Sequence, residues 1–165
     1  MVDHVLLLLR HAKAESYVAG ARDDQRPLTA RGRVQAAGAG DSLRGTTIDH
    51  VLCSPSVRTR QTLEAIEVAG TVDVSGEIYD AGSDTILSEL AILPEEAHTV
   101  LVVGHAPGIP GLARDLADPD DSDVDALDQV AAGFPPATLA RLEFTGSWAE
   151  LSSGSARLVL TVVQR

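Results

Sequence analysis

Two short aliphatic runs constrain this chain more than anything else in it. They are "VLLLL" at 5–9 and "VLVV" at 100–103, and each soon gives way to polar residues. An uninterrupted apolar run of four or five residues leaves no face for water, so it suits a parallel strand covered on both sides. Residues 51–53, with Ile48 before them, and residues 72–74 repeat the pattern. Helical patterns lie between the runs. Residues 29–43 are Ala-rich with Thr29 in a capping position, 58–68 follow Ser54-Pro55-Ser56, 84–93 open from Ser83 and Asp84 and stop before Pro94, and 109–116 are shorter. Strands alternating with helices predict an α/β fold with a largely parallel sheet. The acidic stretch "ADPDDSDVDALDQ" (117–129) reads as a solvated loop, with a short helix from Val124. "FPPATLARLEF" (134–144) turns into a strand after Thr138, and "SARLVLTVV" (155–163) is a last one. Joined by "TGSWAELSSG", the two predict an antiparallel hairpin at the sheet edge. At 165 residues the chain suits a single domain, 1–165.

Charge narrows the function. The formal net charge is -11, which disfavours nucleic acid and anionic membrane as partners, since both need a basic surface. A small anionic substrate stays open, because a few arginines can override the global field locally. With Cys53 as the one cysteine, no intrachain disulfide and no Cys-rich zinc site are expected. The 5–9 run is too short to span a bilayer, Asp3 precedes it and no small-residue cleavage site follows it. A cytoplasmic location is the expectation.

The polar residues that end the runs are the informative ones. His4, His50 and His98 stand before strands and read as exposed loop histidines. His11 and His105 stand after them, in "LLLLRHA" and "LVVGHAPG". In an open α/β sheet, ligands bind outside the carboxyl ends of the strands. Two distant histidines are therefore aimed at one edge. A third strand end, "CSPSVRTRQT" (53–62), places Arg58 at the opening of a helix. Free N–H groups and the dipole at a helix amino end favour an anion. The guanidinium fork of Arg58 adds a bidentate grip on phosphate oxygens. Arg60, two residues on, is expected at the surface.

Rival chemistries are weaker. The phosphate loop of cysteine phosphatases needs five residues between Cys and Arg; here four residues, 54–57, separate Cys53 from Arg58, and none is glycine. Cys53 reads as a core residue. No G-x-S-x-G elbow is present, "GHAPG" lacks the ending of a P-loop, and the histidines and carboxylates show no metal-ligand spacing. Two imidazoles and two guanidiniums, His11, His105, Arg10 and Arg58, suit a dianionic phosphoryl group, whose transfer is catalysed mostly by positioning and charge stabilisation. A neutral imidazole with one nitrogen held by a hydrogen bond can attack phosphorus and form a covalent phosphohistidine.

"LLLLRHAKAE", "SPSVRTRQT" and "VVGHAPG", in this order, resemble the histidine phosphatase superfamily (phosphoglycerate mutase-like), whose signature is Arg-His-Gly or Arg-His-Ala after the first strand. The short chain, "RPLTARGR" (26–33) and "FPPATLARLEF" resemble its SixA-type phosphohistidine phosphatase branch. The likeness extends over nearly the whole chain. It implies a three-layer α/β/α sandwich with a mostly parallel central sheet and no metal or organic cofactor. It implies that His11 is the nucleophile and that Arg10, Arg58 and His105 complete the phosphate pocket. Arg26 matches the arginine of "RPLT" and is a candidate substrate-binding residue, with a structural loop role as the alternative. Leu28, Thr29 and Gly32 are expected to shape the turn into the first helix.

Larger members of the superfamily carry a Glu or Asp general acid in an inserted region. The corresponding stretch here, 71–96, is short. Glu77, Asp80 and Asp84 are the candidates, with solvated loop carboxylates as the alternative reading. Without a large lid the pocket is expected to be open. The expected function is a phosphatase, a phosphoric monoester or phosphoramidate hydrolase. Its partner would be a phosphorylated protein, with protein phosphohistidine as a substrate, or a small phosphorylated molecule. The alternatives are a small-molecule phosphomonoester phosphatase of the same superfamily and a non-catalytic phospho-ligand binding module. A monomer is the expectation for assembly.

Overall fold

A computed structural model describes residues 1–165. In chain order the elements are β1 (His4–Arg10), α1 (Ala30–Ser42), β2 (His50–Cys53), α2 (Val57–Leu63), β3 (Thr71–Val74), α3 (Ser83–Ala91), β4 (Thr99–Gly104), α4 (Gly108–Leu116), α5 (Val124–Ala132), β5 (Leu139–Phe144) and β6 (Arg157–Val162). All six strands form one sheet in the order β3-β2-β4-β1-β5-β6. The pairs β1–β4, β4–β2 and β2–β3 are parallel, while β5 runs antiparallel to both β1 and β6. The aliphatic runs at 5–9 and 100–103 thus lie side by side at the centre, where both faces are covered.

Alternation along the strands builds two cores. Leu6, Leu8, Val100 and Val102 face one way and pack with Ile86 and Leu90 of α3, Ile109 and Leu112 of α4 and Val130 of α5. Leu7, Leu9, Leu101 and Val103 face the other way and pack with Ala39 of α1, Leu43 and Ile66. The result is the three-layer α/β/α sandwich. Leu6 to Leu9 are all buried, and burial of each leucine contributes about 1.5–3 kcal/mol before entropy is counted.

Helix starts follow the sequence. Thr29 Oγ1 accepts from the Gly32 N–H at 2.9 Å, and Ser56 Oγ accepts from the Thr59 N–H at 3.3 Å. Ends and surroundings differ in four places. The second helix stops at Leu63 rather than 68, because the chain tightens into i→i+3 turns that bury Ile66. Residues 72–74 form a strand, but an exposed edge one: Val72 and Val74 remain 45% and 49% accessible. The acidic stretch carries the expected short helix from Val124, since Asp123 caps α5 and Ala126 and Val130 bury one face of it. His50 opens β2 and is half-buried rather than exposed in a loop, and His4 is not an exposed loop histidine either. It is buried in β1, stacked on Phe144 and tilted against Trp148. Trp148 itself is fully buried in the β5–β6 connection, where its Nε1–H donates to the Ala97 carbonyl at 2.9 Å.

One close approach matters for the site. A Cβ at Gly32 would lie 2.0 Å from the Lys13 carbonyl oxygen, so only glycine lets α1 press against the segment that follows His11. The same carbonyl accepts from the Thr29 N–H at 3.0 Å. No helix is long and apolar enough to cross a membrane.

Candidate active site

The ladder between β1 and β4 pairs Arg10 with Gly104, and the His11 N–H donates to the Gly104 carbonyl at 3.0 Å. His11 and His105 therefore leave neighbouring strands side by side, with ring centroids 5.3 Å apart. Both rings are buried. Arg58, buried in the first turn of α2, reaches the same place. A cavity of about 310 Å³ is lined by Arg10, His11, Arg26, Arg58 and His105, with Lys13 and Asp80 on its exposed rim. All five residues singled out in the sequence thus converge.

Hydrogen bonds fix the ring states. His11 Nδ1 lies 2.7 Å from the Ala12 carbonyl oxygen. A carbonyl only accepts, so Nδ1 carries the proton and Nε2 holds the lone pair. Arg58 Nη2 lies 3.3 Å from His105 Nδ1 and must be the donor there. His105 Nε2–H then donates to Ser54 Oγ at 2.8 Å. Burial, reinforced by the charges of Arg58, Arg10 and Arg26, pushes His11 down to about 4 despite the opposing bond to Ala12. Burial, then the charge of Arg58, pushes His105 down to about 3. Both imidazoles are neutral at pH 7, as nucleophilic attack requires.

These shifts make the fold acid-sensitive. The unfolded chain takes up protons near the ordinary histidine value of 6.5, whereas folded His11 resists until about 4. Stability is therefore complete above about pH 6.5 and declines as pH falls toward 4. At about 1.4 kcal/mol per pKa unit, each of the two histidines accounts for a loss of about 3 kcal/mol over that range. Urea unfolding at pH 7 and pH 4 checks this. A decline just as steep in a His11→Asn/His105→Asn double variant would refute the assignment.

The arginines are held differently. Arg10 donates from Nη1 to the Phe134 carbonyl at 2.8 Å. Arg58 donates from Nη1 to the Asp23 carbonyl at 2.8 Å and from Nη2 to Asp23 Oδ2 at 3.0 Å. Arg26 donates from Nε to Asp23 Oδ1 at 2.9 Å and from Nη1 to the Glu15 carbonyl at 2.7 Å. The Tyr79 hydroxyl donates to the same Asp23 carboxylate. The Nε atoms of Arg10 and Arg58 are buried without any protein partner. Both residues line the cavity, where their guanidiniums set positive charge beside the space an oxyanion would fill.

Sequence reading missed Asp23, Tyr79 and Ser54 as members of the site. Ser54 carried a usable signal, since it is the first residue after β2. Asp23 sat in "RDDQ" with nothing to separate it from the other surface acids. Of the three candidate acids, Asp80 lines the cavity, in a left-handed backbone conformation (φ 53°), whereas Glu77 and Asp84 are exposed and do not line it. Arg60 is exposed, as expected. Helix α2 has only seven residues, and the N–H groups of Ser56 and Thr59 go to the hydroxyls of Ser54 and Ser56. Cys53 is fully buried and its thiol is pushed up to about 11 by that burial, so it offers no thiolate. No group of three or more His, Cys, Asp or Glu side chains converges to ligate a metal ion.

The family model for the histidine phosphatase superfamily (branch 1) matches residues 6–78. An uncharacterized protein of Mycobacterium tuberculosis is 35% identical over 153 residues, covering 92% of this chain and 96% of that one. A SixA structure from Nakamurella multipartitia is 42% identical, covers 98% of this chain and 96% of that one, and superposes with a TM-score of 0.86. The chain belongs to the histidine phosphatase superfamily. A second SixA structure, from Agrobacterium tumefaciens, is 29% identical with a TM-score of 0.77 and covers 98% of both chains. The Arg-His pair that marks this superfamily is Arg10-His11, at the end of the central strand β1.

Proposed function

We propose that the protein is a phosphatase that takes the phosphoryl group of its substrate onto Nε2 of His11 and then passes it to water, with phosphohistidine in another protein as the substrate. The observation that carries the reading is the His11 ring. Its Nδ1–H is committed to the Ala12 carbonyl, and Nε2 keeps its lone pair among three arginines.

In the first step Nε2 attacks phosphorus, the Nε2–P bond forms and the bond to the leaving atom breaks. Arg10 and Arg58 hold the equatorial oxygens, over which the charge is spread. His105, held between the Arg58 Nη2–H and Ser54 Oγ, keeps Arg58 turned to the phosphoryl group. In the second step water attacks phosphorus, the Nε2–P bond breaks, and His11 departs as a neutral imidazole with inorganic phosphate as product.

The leaving group favours a phosphoramidate. A phosphohistidine protonated on its ring leaves as neutral imidazole and asks for no acid from the enzyme. An alkyl phosphate leaves as an alkoxide unless something protonates it. Asp80, the candidate acid on the cavity wall, is exposed to water. The segment 75–82 between β3 and α3 brings no larger lid, so a side chain on another protein can approach. The SixA relatives, named for phosphohistidine phosphatase activity, agree with this choice.

The test is a substrate ranking. A phosphohistidine peptide, a sugar phosphate and para-nitrophenyl phosphate are offered at equal concentration, and the enzyme is quenched under alkaline conditions to trap an acid-labile phosphoenzyme. The expected result is fastest turnover of the phosphohistidine peptide. Preference for the sugar phosphate would move the protein to small-molecule hydrolysis. Phosphate binding without any turnover would make it a binding module.

A further inference from the structure

The acidic residue that ties the pocket together was invisible as a site residue in the sequence. Asp23 gathers four hydrogen bonds from the side chains of three residues. Arg58 of α2 donates to both its backbone carbonyl and its Oδ2, at 2.8 and 3.0 Å. Arg26, three residues on, donates to Oδ1 at 2.9 Å. Tyr79, from the segment between β3 and α3, donates to Oδ2. A guanidinium has five N–H donors. Asp23 takes one from each Nη of Arg58, and His105 Nδ1 receives a further contact from Nη2 at 3.3 Å. The Nε–H stays buried without a protein acceptor, in a residue that lines the cavity.

We propose that Asp23 is a positioning residue: its carboxylate and carbonyl together hold both Nη atoms of Arg58, which fixes the guanidinium at the cavity wall and aims Nη2–H at His105. This rests on the reading of the cavity as a phosphate pocket. The Tyr79 hydroxyl, then Arg26 and Arg58, hold the Asp23 carboxyl well below the usual carboxylate range, so the lock keeps its charge at any pH at which the protein works. Tyr79 does double service. Its ring meets His105 edge-on at 5.4 Å and lies 5.9 Å from the Arg58 guanidinium carbon, so it braces the same two residues it reaches through Asp23.

The proposal predicts a sign opposite to that of simple electrostatics. Asp23→Asn removes a negative charge beside an anion site, so charge alone would tighten phosphate binding. Loss of the lock loosens Arg58 and weakens it. Isothermal titration with inorganic phosphate decides between them and needs no turnover, so a failed phosphatase assay would leave this test standing. The expected result is ~10-fold weaker phosphate binding in Asp23→Asn, the scale of one charge-assisted hydrogen bond. In an Arg58→Ala background the same substitution should cause no loss, because its effect runs through Arg58. Nitrogen-15 NMR of the His105 ring should show a single Nε2–H tautomer in the wild type and a tautomer mixture in Asp23→Asn. Phosphate binding as tight as or tighter than wild type in Asp23→Asn, or an undiminished loss in the Arg58→Ala background, would overturn the proposal. Should Asp23→Asn fail to fold, Tyr79→Phe serves in its place. It removes one donor to the carboxylate and is expected to weaken phosphate about threefold; unchanged affinity there would overturn the proposal.

Discussion

His11→Ala is expected to lower turnover of a phosphohistidine peptide by ~10⁴-fold or more, the scale on which removing a covalent nucleophile acts. The size follows from the division of labour in the pocket. In the proposed mechanism Arg10, Arg58 and His105 grip and stabilise the phosphoryl group, but none of them offers a free lone pair to phosphorus. The guanidiniums are donors only, and His105 Nδ1 is turned to Arg58. His11 Nε2 is the one basic nitrogen left in the cavity. The variant should keep its fold, since the removed ring sits at a strand end rather than inside either apolar core. It should keep binding inorganic phosphate, since the arginines remain. Rapid quench with a ³²P-labelled substrate checks the point directly. Label on the wild-type protein and none on the variant is the expected pattern. A variant that still becomes labelled, or turns over at the wild-type rate, would mean that the phosphoryl group goes elsewhere.

Trp148→Ala is expected to be the most damaging single change to stability. The side chain is fully buried, and its removal combines three losses. A large cavity opens, at a cost of about 3–5 kcal/mol for a buried aromatic. The Ala97 carbonyl loses its donor at 2.9 Å. Phe144 and His4 lose the ring they pack on, at 5.0 and 4.8 Å between centroids. For a chain of this size the melting temperature should fall by about 10 °C. Differential scanning calorimetry measures it. A fall of only a degree or two would mean that the β5–β6 connection is not part of the cooperative core. The cavity lies at the amino end of the sheet, remote from His11, so turnover at low temperature should survive.

The two predictions fall on opposite sides of what the sequence reveals. His11 was legible because its neighbours in sequence are also its structural context. A solid aliphatic run forces a strand, the run ends, and the first polar residues must lie at the strand's carboxyl end. His105 obeys the same logic, and Arg58 does so with one capping turn more. Trp148 was not legible as core. It stands in "TGSWAELSSG", a stretch whose Gly and Ser content reads as a turn. What buries it is a set of partners at positions 4, 97 and 144, a placement that only the closed sheet supplies. Asp23 is the polar version of the same difficulty. Its partners at 58 and 79 lie 35 and 56 residues away, and a carboxylate among 24 acidic residues gives no local sign of which arginine it will meet. Residues 72–74 erred in the other direction. A β-branched, apolar-rich stretch suggested burial, but position at the sheet edge decided exposure.

The backbone of His11 is tied on both sides. Its N–H is bound to Gly104 at the end of β4, and its carbonyl accepts from the Ala137 N–H just before β5, each at 3.0 Å. The backbones that carry the two imidazoles thus stand one strand spacing apart, a ruler ruled by the sheet itself. Heating cannot blur that ruler gradually, because the central ladder is among the last structure to open. The rim is made of other material: Lys13 and Asp80 hang on connecting segments that carry no ladder. Substitution at the rim can therefore change which phosphorylated molecule is admitted while the chemistry beneath it stays in register.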